Sequence, residues 1–516
     1  MKILIIATIM QKVRLVNNKT PAGIFLKIPA EHRICLINFR SISVLFLSFL
    51  LIISACSDNP GESKTENNRT ITILYTNDEH GWIEESNESD GAAKLLGLWQ
   101  TEEGYTKNGD FLILSGGDNF TGPAISTWFK GESVVEVMNA IKYDAAAIGN
   151  HEFDFTVENL RDRIEQADYP YLSANIFEKS TDQRADFAIP FVIKAVNDVT
   201  VGLIGLTTTT TSYSAFPAYV SDYDFTDYTT ALKEVVPQVL AEGADLLILV
   251  AHICYFELID LIPLAQELGL SVLGGGHCND LVGEMIDGIA IIEGGKHLQS
   301  YAKVEIIFDT ETNSIIEIIP GVFNNQAGSP APEIENIVSL WKAKADAELS
   351  GIIGYAQQEI TVDSPALYNL VTDSWLYAYP AAHISATNAG GIRQSIPPGN
   401  ITKGTIVGVL PFQNNIIELE LTGTQIIETT QYLIVGGLTR TNGYFLADNT
   451  PLQADSIYRV LTTDYLYSRP DFNFSLYDPD PFYTGLNYSQ PTIDFLIQLN
   501  TSSADPLDNY LDDTVR

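Results

Sequence analysis

The chain has 516 residues, with 65 Asp and Glu against 29 Lys and Arg, a formal charge of −36, and 45% apolar residues. So acidic a balance excludes a protein that holds nucleic-acid polymers or anionic surfaces by charge. The length and apolar content allow two or three domain cores, and four cysteines are too few for a disulfide framework.

From the N-terminus, residues 1–55 carry seven Lys or Arg and one acid. Arg33 and Arg40 precede an apolar run from Ser43 to Ile53 that is too short for a standard spanning helix. The run ends in Ile53-Ser54-Ala55-Cys56, which resembles a bacterial lipobox and makes Cys56 the expected lipidated residue. The alternative is an ordinary secretory signal with an incidental cysteine. Ser57 in place of Asp favours the outer membrane of a Gram-negative host. Residues 56–69 are polar and read as a flexible tether.

Five short apolar runs follow, each ending in a polar cluster, often through a glycine turn. Ile71–Leu74 leads to Asp78-Glu79-His80, Phe111–Leu114 to Gly117-Asp118, and Ala145–Ile148 to Gly149-Asn150-His151-Glu152-Phe153-Asp154. Leu246–Val250 leads to Ala251-His252, and Val272-Leu273 to Gly276-His277-Cys278-Asn279. Near-continuous apolar runs predict strands buried on both faces. Asp78 and His80, two apart, are expected on one face of an extended segment. Four of the seven histidines fall in these clusters. Imidazole nitrogens and carboxylate oxygens converging at strand ends predict a site for zinc-, manganese- or iron-type ions.

Pro332 opens a predicted helix, in which Ile334, Ile337, Val338, Trp341 and Ala345 recur at helical spacing before Gly351. Beyond it, Asn388-Ala389-Gly390-Gly391-Ile392-Arg393 combines glycines that admit a ligand to the backbone with a guanidinium that can fork a phosphate. Phe412 offers a ring face for a base and Asn414 an amide for its edge.

Taken together, these clusters resemble the calcineurin-like metallophosphoesterases. The Gly-Asn-His-Glu-Phe-Asp form and the C-terminal half resemble the bacterial 5′-nucleotidase / UDP-sugar hydrolase family within them, over about residues 70–475. The resemblance implies an α/β architecture. An N-terminal four-layer α/β/β/α sandwich (70–325) would be joined by a helix (326–352) to a C-terminal α+β substrate domain (353–516), the domains rotating about that helix. It implies two divalent metal ions, the first held by Asp78, His80, Asp118 and Asn279. The second would be held by Asn150, His252 and His277, with Asp118 bridging. A metal-bound hydroxide would attack the phosphoryl group, with His151 beside the metals and Asp154 orienting its ring; read alone, Asp154 is also a candidate helix N-cap. The nucleotide would meet Asn388, Gly390, Gly391, Arg393, Phe412, Asn414, Tyr465 and Asp471, the last two as second stacking aromatic and ribose partner.

Three departures from the family pattern stand out. Asn279 replaces a longer His or Gln. No arginine lies between Gly351 and Ala386. Ser468-Arg469-Pro470-Asp471 replaces a glycine-rich turn. Cys254 and Cys278 each neighbour an expected ligand, and are read either as a disulfide beneath the site or as two unconnected buried residues. The expected function is an exported, lipid-anchored 5′-nucleotidase. The alternatives are a nucleotide-sugar pyrophosphatase, a cyclic-nucleotide phosphodiesterase, or a non-catalytic nucleotide-binding surface lipoprotein.

Overall fold

The computed structural model describes residues 67–86 and 89–516. The signal segment, Cys56 and most of the tether lie outside the described residues. Among the described residues no helix is long and apolar enough to cross a membrane.

Two six-stranded sheets form the centre of the N-terminal half. One runs in the order Ser314–Asn324, Ser300–Asp309, Asn68–Thr76, Phe111–Ser115, Ala145–Ala147, Tyr171–Leu172. The other runs Leu281–Ile286, Ile289–Gly294, Leu270–Gly274, Leu246–His252, Val199–Thr207, Phe191–Val196. Alternation along each strand builds the layers. Ile71, Ile73, Leu112 and Leu114 of the first sheet meet Val201, Leu203, Ile248 and Val250 of the second in a core between the sheets. The intervening residues Leu74 and Ile113 pack outward on helix Gly91–Glu102 through Leu95, Leu96 and Trp99. Leu247 and Leu249 pack outward on Val235, Val239 and Leu258. The result is the expected α/β/β/α sandwich.

Helix Pro332–Leu349 starts at the expected proline and ends just before Gly351, with Ser350 as its C-cap. Its buried stripe, Ile334, Val338 and Trp341, belongs to the core between the first sheet and helix Gly91–Glu102, and Trp341 Nε1 donates to Glu136 at 2.8 Å. The C-terminal half is α+β. Its five-stranded sheet runs Ile434–Gly436, Ile384–Thr387, Ile457–Thr463, Asn415–Thr422, Phe482–Asn487. Helices Pro365–Ala378 and Gln490–Leu499 contribute Leu367, Val371, Trp375 and Leu496 to its core.

One core residue carries a pH signature. Glu293, on strand Ile289–Gly294, is fully buried and neither carboxylate oxygen has a hydrogen-bond partner. Burial, then the charges of Asp78 and Asp280, push its pKa from 4.5 to about 10. The folded state therefore binds a proton that the unfolded chain releases above 4.5. That contribution to stability is fully present below pH 4.5 and is lost as pH rises toward 10. The thermal midpoint is expected to fall between pH 6 and 9, and Glu293→Gln to flatten the fall; equal slopes in calorimetric melts of the two proteins would refute this.

Candidate metal centre and its cavity

The parallel pairings explain why residues far apart in sequence meet. Thr76 pairs with Ser115, Leu114 with Ala145, His252 with Thr207 and Val250 with Gly274, so the strands of both sheets end along one edge. The loops beyond those ends carry every expected ligand except His252, which is the last residue of its strand. They are not extended, as the spacing of Asp78 and His80 predicts. Asp78 (φ 52°), His80 (φ 45°), Asp118 (φ 60°), His277 (φ 75°) and Asn279 (φ 60°) all adopt the left-handed conformation. Such backbone is costly for non-glycine residues and concentrates at functional sites. It turns the side chains inward instead of along the strands. Gly149 permits a close approach, since a Cβ there would collide with Asp118 Oδ1.

Asp118 stands at the centre. Its carboxylate belongs to two groups whose ligand atoms lie within 4.8 Å of one another: His80, Asp118 and His151, and Asp118, His252 and His277. The first grouping differs from the expected ligand set, because His151 rather than Asp78 completes it. Asp78 Oδ1 is 3.8 Å from His80 Nε2, while Asp78 Oδ2 accepts from the His277 backbone N–H at 2.9 Å. Asn279 lines the same cavity.

Hydrogen bonds fix which nitrogen of each ring faces inward. His252 Nδ1 donates to Gly116 O at 2.7 Å and His80 Nδ1 to Thr121 O at 3.0 Å. Both Nε2 atoms therefore turn to the centre, where His252 Nε2 lies 3.0 Å from Asp118 Oδ2 without a directed hydrogen bond. A neutral imidazole lone pair beside a carboxylate oxygen requires a cation or a proton between them. Burial disfavours charge on His252, but Asp118 outweighs it and holds the ring at about 10. Asp78 Oδ1 and Asn150 Oδ1 are also buried without hydrogen-bond partners. Backbone-anchored imidazoles with unpartnered carboxylate and amide oxygens fit divalent ions.

His151 Nδ1 contacts Asp154 Oδ2 at 2.7 Å, and the His151 backbone N–H donates to Asp118 Oδ1 at 2.8 Å. Asp154 is not a helix N-cap: the N-cap of Val157–Gln166 is Thr156, and Asp154 closes the 3₁₀ turn His151–Phe153. Burial disfavours the imidazolium of His151, but Asp154 and Asp118 outweigh it and raise its pKa.

The cavity over this centre is shared by both halves of the chain. Asn388, Gly390, Gly391, Arg393, Phe412, Asn414 and Tyr465 line it together with His80, Asp118, Asn150, His151, Asp154, His277 and Asn279. Arg393 Nη2 is 3.0 Å from His80 Nε2, and the Phe412 ring stacks on His151 with centroids 5.6 Å apart. Asp471 is not among the lining residues; both its oxygens accept from Arg469.

Two residue sets were not legible as parts of the site, and a third, His297, reads in sequence as a residue on a glycine turn with a peripheral role facing the substrate. Ser214, Phe216 and Tyr219 line the cavity from the loop after strand Val199–Thr207. The signal was present, an apolar run followed by a threonine-rich turn. His297 stacks on Trp82 at 4.8 Å, with its ring 5.9 Å from that of His80. Glu152, inside the histidine motif, is fully buried and accepts from the backbone N–H groups of Asp118 (2.9 Å), Gly149 (2.7 Å) and Asn119 (2.6 Å). It pins the two central loops together. Burial, then the Asp118 charge, raises its pKa to about 8. Glu152→Ala strands three buried donors at about 1–3 kcal/mol each. The expected loss of about 3 kcal/mol or more is measurable by urea denaturation, and a loss below about 1 kcal/mol would contradict this role.

Cys254 and Cys278 form a disulfide, with Cα atoms 5.1 Å apart. Cys254 is the N-cap of helix Tyr255–Leu268 and follows His252 by two residues; Cys278 adjoins His277. The bond ties together the loops that present two imidazoles of one donor group.

Comparisons with known proteins agree with this geometry. Residues 344–474 match the family model described as 5′-nucleotidase, C-terminal domain. Silent protein UshA(0) of Salmonella typhimurium is 28% identical over 443 residues, covering 73% of this chain and 79% of that protein. The 5′-nucleotidase of Homo sapiens is 26% identical over 486 residues, covering 78% and 83%. The chain is similar to UshA proteins and 5′-nucleotidases over about three quarters of its length. A 5′-nucleotidase precursor from Thermus thermophilus shares the fold with a TM-score of 0.71 at 23% identity, covering 84% of this chain and 97% of that one. The sulfate thiohydrolase SoxB of Thermus thermophilus, in complex with glycerol, shares it with a TM-score of 0.68 at 16% identity, covering 84% and 94%. The family's C-terminal domain model spans Asn388, Arg393, Phe412, Asn414, Tyr465 and Asp471. The segment Ser468–Asp471 lies within the match.

Proposed function

We propose that the protein is a metal-dependent phosphoric ester hydrolase that releases phosphate from nucleoside monophosphates. Residues 70–325 would be the catalytic part, 326–352 the connecting helix and 353–516 the nucleotide-recognition part. One observation carries this reading. A single cavity of about 240 Å³ is lined by His80, Asp118, His151 and His277, drawn from both donor groups, together with Arg393, Asn388 and Phe412. The relative named 5′-nucleotidase supports a nucleotide as substrate.

Asp78, His80, Asp118 and Asn279 would hold one divalent ion, and Asn150, His252 and His277, with Asp118 shared, a second. Zinc and manganese suit these donors. When bound, such ions lower the pKa of a water toward neutrality and neutralise charge on phosphoryl oxygens. The rest falls to side chains. Arg393 forks the phosphoryl oxygens. Asp154 holds His151 through Nδ1, which leaves the proton on Nε2 to pass to the departing oxygen. Phe412 presents a ring face to the base and Asn414 an amide to its edge.

The test is phosphate release from AMP by the full chain loaded with Mn²⁺ or Zn²⁺. Release supports a nucleotidase. Turnover of nucleotide sugars or cyclic nucleotides without AMP would replace it with a pyrophosphatase or diesterase, and binding without turnover of any of them would leave a nucleotide-binding protein. Export with a lipid anchor at Cys56 rests on the run from Ser43 to Cys56. Cys56→Ser is expected to move the protein from the membrane to the soluble envelope fraction, and unchanged fractionation would refute it.

A further inference from the structure

The altered turn between the two halves of the chain has a structure of its own. Arg469 sits with its side chain 18% exposed and uses three nitrogens at once. Nε and Nη2 donate to the two oxygens of Asp471 at 2.9 and 2.8 Å. Nη1 donates to Tyr465 Oη at 2.9 Å and to the backbone carbonyl of Tyr213 at 3.0 Å. The guanidinium carbon lies 5.1 Å from the Tyr213 ring centroid. Tyr465 Oη also reaches Tyr213 O, at 3.4 Å. Pro470 opens the short 3₁₀ turn Pro470–Phe472, so a stiff segment carries Asp471 back to its partner.

The partners come from different halves of the chain. Tyr465 lines the cavity from the C-terminal half. Tyr213 belongs to the N-terminal half and immediately precedes Ser214, Phe216 and Tyr219, which line the same cavity. Only a planar, five-donor group can serve a bidentate carboxylate, a phenol and a carbonyl together. Asp471 offsets the charge of the partly buried guanidinium.

We propose that Arg469 is a specificity-determining positioning residue. It fastens Tyr465 to the Tyr213–Tyr219 loop and so sets the width of the aromatic cleft that takes the leaving group. The inference rests on the nucleotide reading above and names what positions the second aromatic that lines the cavity with Phe412: Tyr465, held to the N-terminal half by one arginine. Arg469 does not face the phosphoryl end, where Arg393 and His151 stand. Its loss therefore weakens recognition of a planar leaving group more than handling of the phosphate.

The experiment compares kcat/KM for AMP with that for glycerol 3-phosphate, a monoester without a ring, using the full chain loaded with Mn²⁺. Arg469→Ala is expected to lower the AMP-to-glycerol-phosphate ratio at least about tenfold, chiefly through KM for AMP, because aromatic–base stacking depends on the cleft. Arg469→Lys is expected to fall equally, since an ammonium cannot span Asp471 and Tyr213 together. Should Arg469→Ala fail to fold, Tyr465→Phe keeps the ring and removes the hydroxyl that Arg469 grips; the ratio is then expected to drop about 3- to 10-fold. A wild-type ratio retained in Arg469→Ala, or restored by Arg469→Lys, overturns the inference alone. A wild-type enzyme with no preference for AMP overturns the nucleotide reading and this inference with it.

Discussion

Asp118→Ala is expected to lower kcat/KM for AMP by about 10³-fold and to leave the chain unable to retain two equivalents of divalent metal after dialysis. Asp118 is the one residue common to both donor groups. Its Oδ2 lies 3.0 Å from His252 Nε2 and 3.9 Å from His80 Nε2. Bound ions contribute several kcal/mol of transition-state stabilisation, and each 1.36 kcal/mol is a factor of ten. Losing the shared donor forfeits much of both. The loops themselves should survive, because Glu152 holds them through the Asp118 and Gly149 backbone N–H groups, which the substitution leaves in place. Elemental analysis beside steady-state kinetics checks this. Two retained equivalents with near-normal turnover would remove Asp118 from the centre of the mechanism.

His151→Ala is expected to lower kcat by about 10²- to 10⁴-fold, the range for loss of a positioned general acid, while leaving metal content intact. The contrast with Asp118→Ala is informative because the His151 ring lies close enough to His80 and Asp118 to act as a ligand. Loss of one metal equivalent in His151→Ala would make it a ligand and withdraw the proton-donor role. The pH profile adds a second readout. Asp154 and Asp118 outweigh burial and raise the His151 pKa above the ordinary 6.5. The imidazolium therefore persists above the pH at which an ordinary histidine loses it, and is lost on the alkaline side of that point. Wild-type kcat should decline there, and His151→Ala should lose that limb. An alkaline limb identical in both proteins would assign it to another group.

The elements that place the site were legible wherever the signal was local. Apolar runs ending in glycine turns marked the strands leading to Asp78, Asp118, Asn150, His252 and His277, because a strand buried on both faces must be apolar along its length. Pro332 and the spacing of Ile334, Val338 and Trp341 marked the long helix for the same kind of reason. The left-handed backbone at Asp78 and His80 was not legible, and the expectation of an extended segment misjudged it. A residue adopts that conformation when its surroundings over-determine it, and those surroundings are Gly117 O and Asp118 O on a different strand's loop, which accept from the Asp78 and His80 N–H groups.

By itself the sequence determined which chemistry is present: imidazoles, carboxylates and amides at strand ends, then a guanidinium and an aromatic ring on the second half. Tertiary structure alone decided which of these meet. The parallel register of neighbouring strands brings Cys254 to Cys278 across 24 residues and makes them one disulfide. Asp471 is held by Arg469 outside the cavity lining, and packing of the two halves brought Tyr213 to Tyr465 across 252 residues. Local pattern reports what each segment buries, which follows from its own period. Contacts between loops depend on strand register and domain packing, and a carboxylate reads the same in sequence whether its partner is a metal, a sugar or an arginine two residues away.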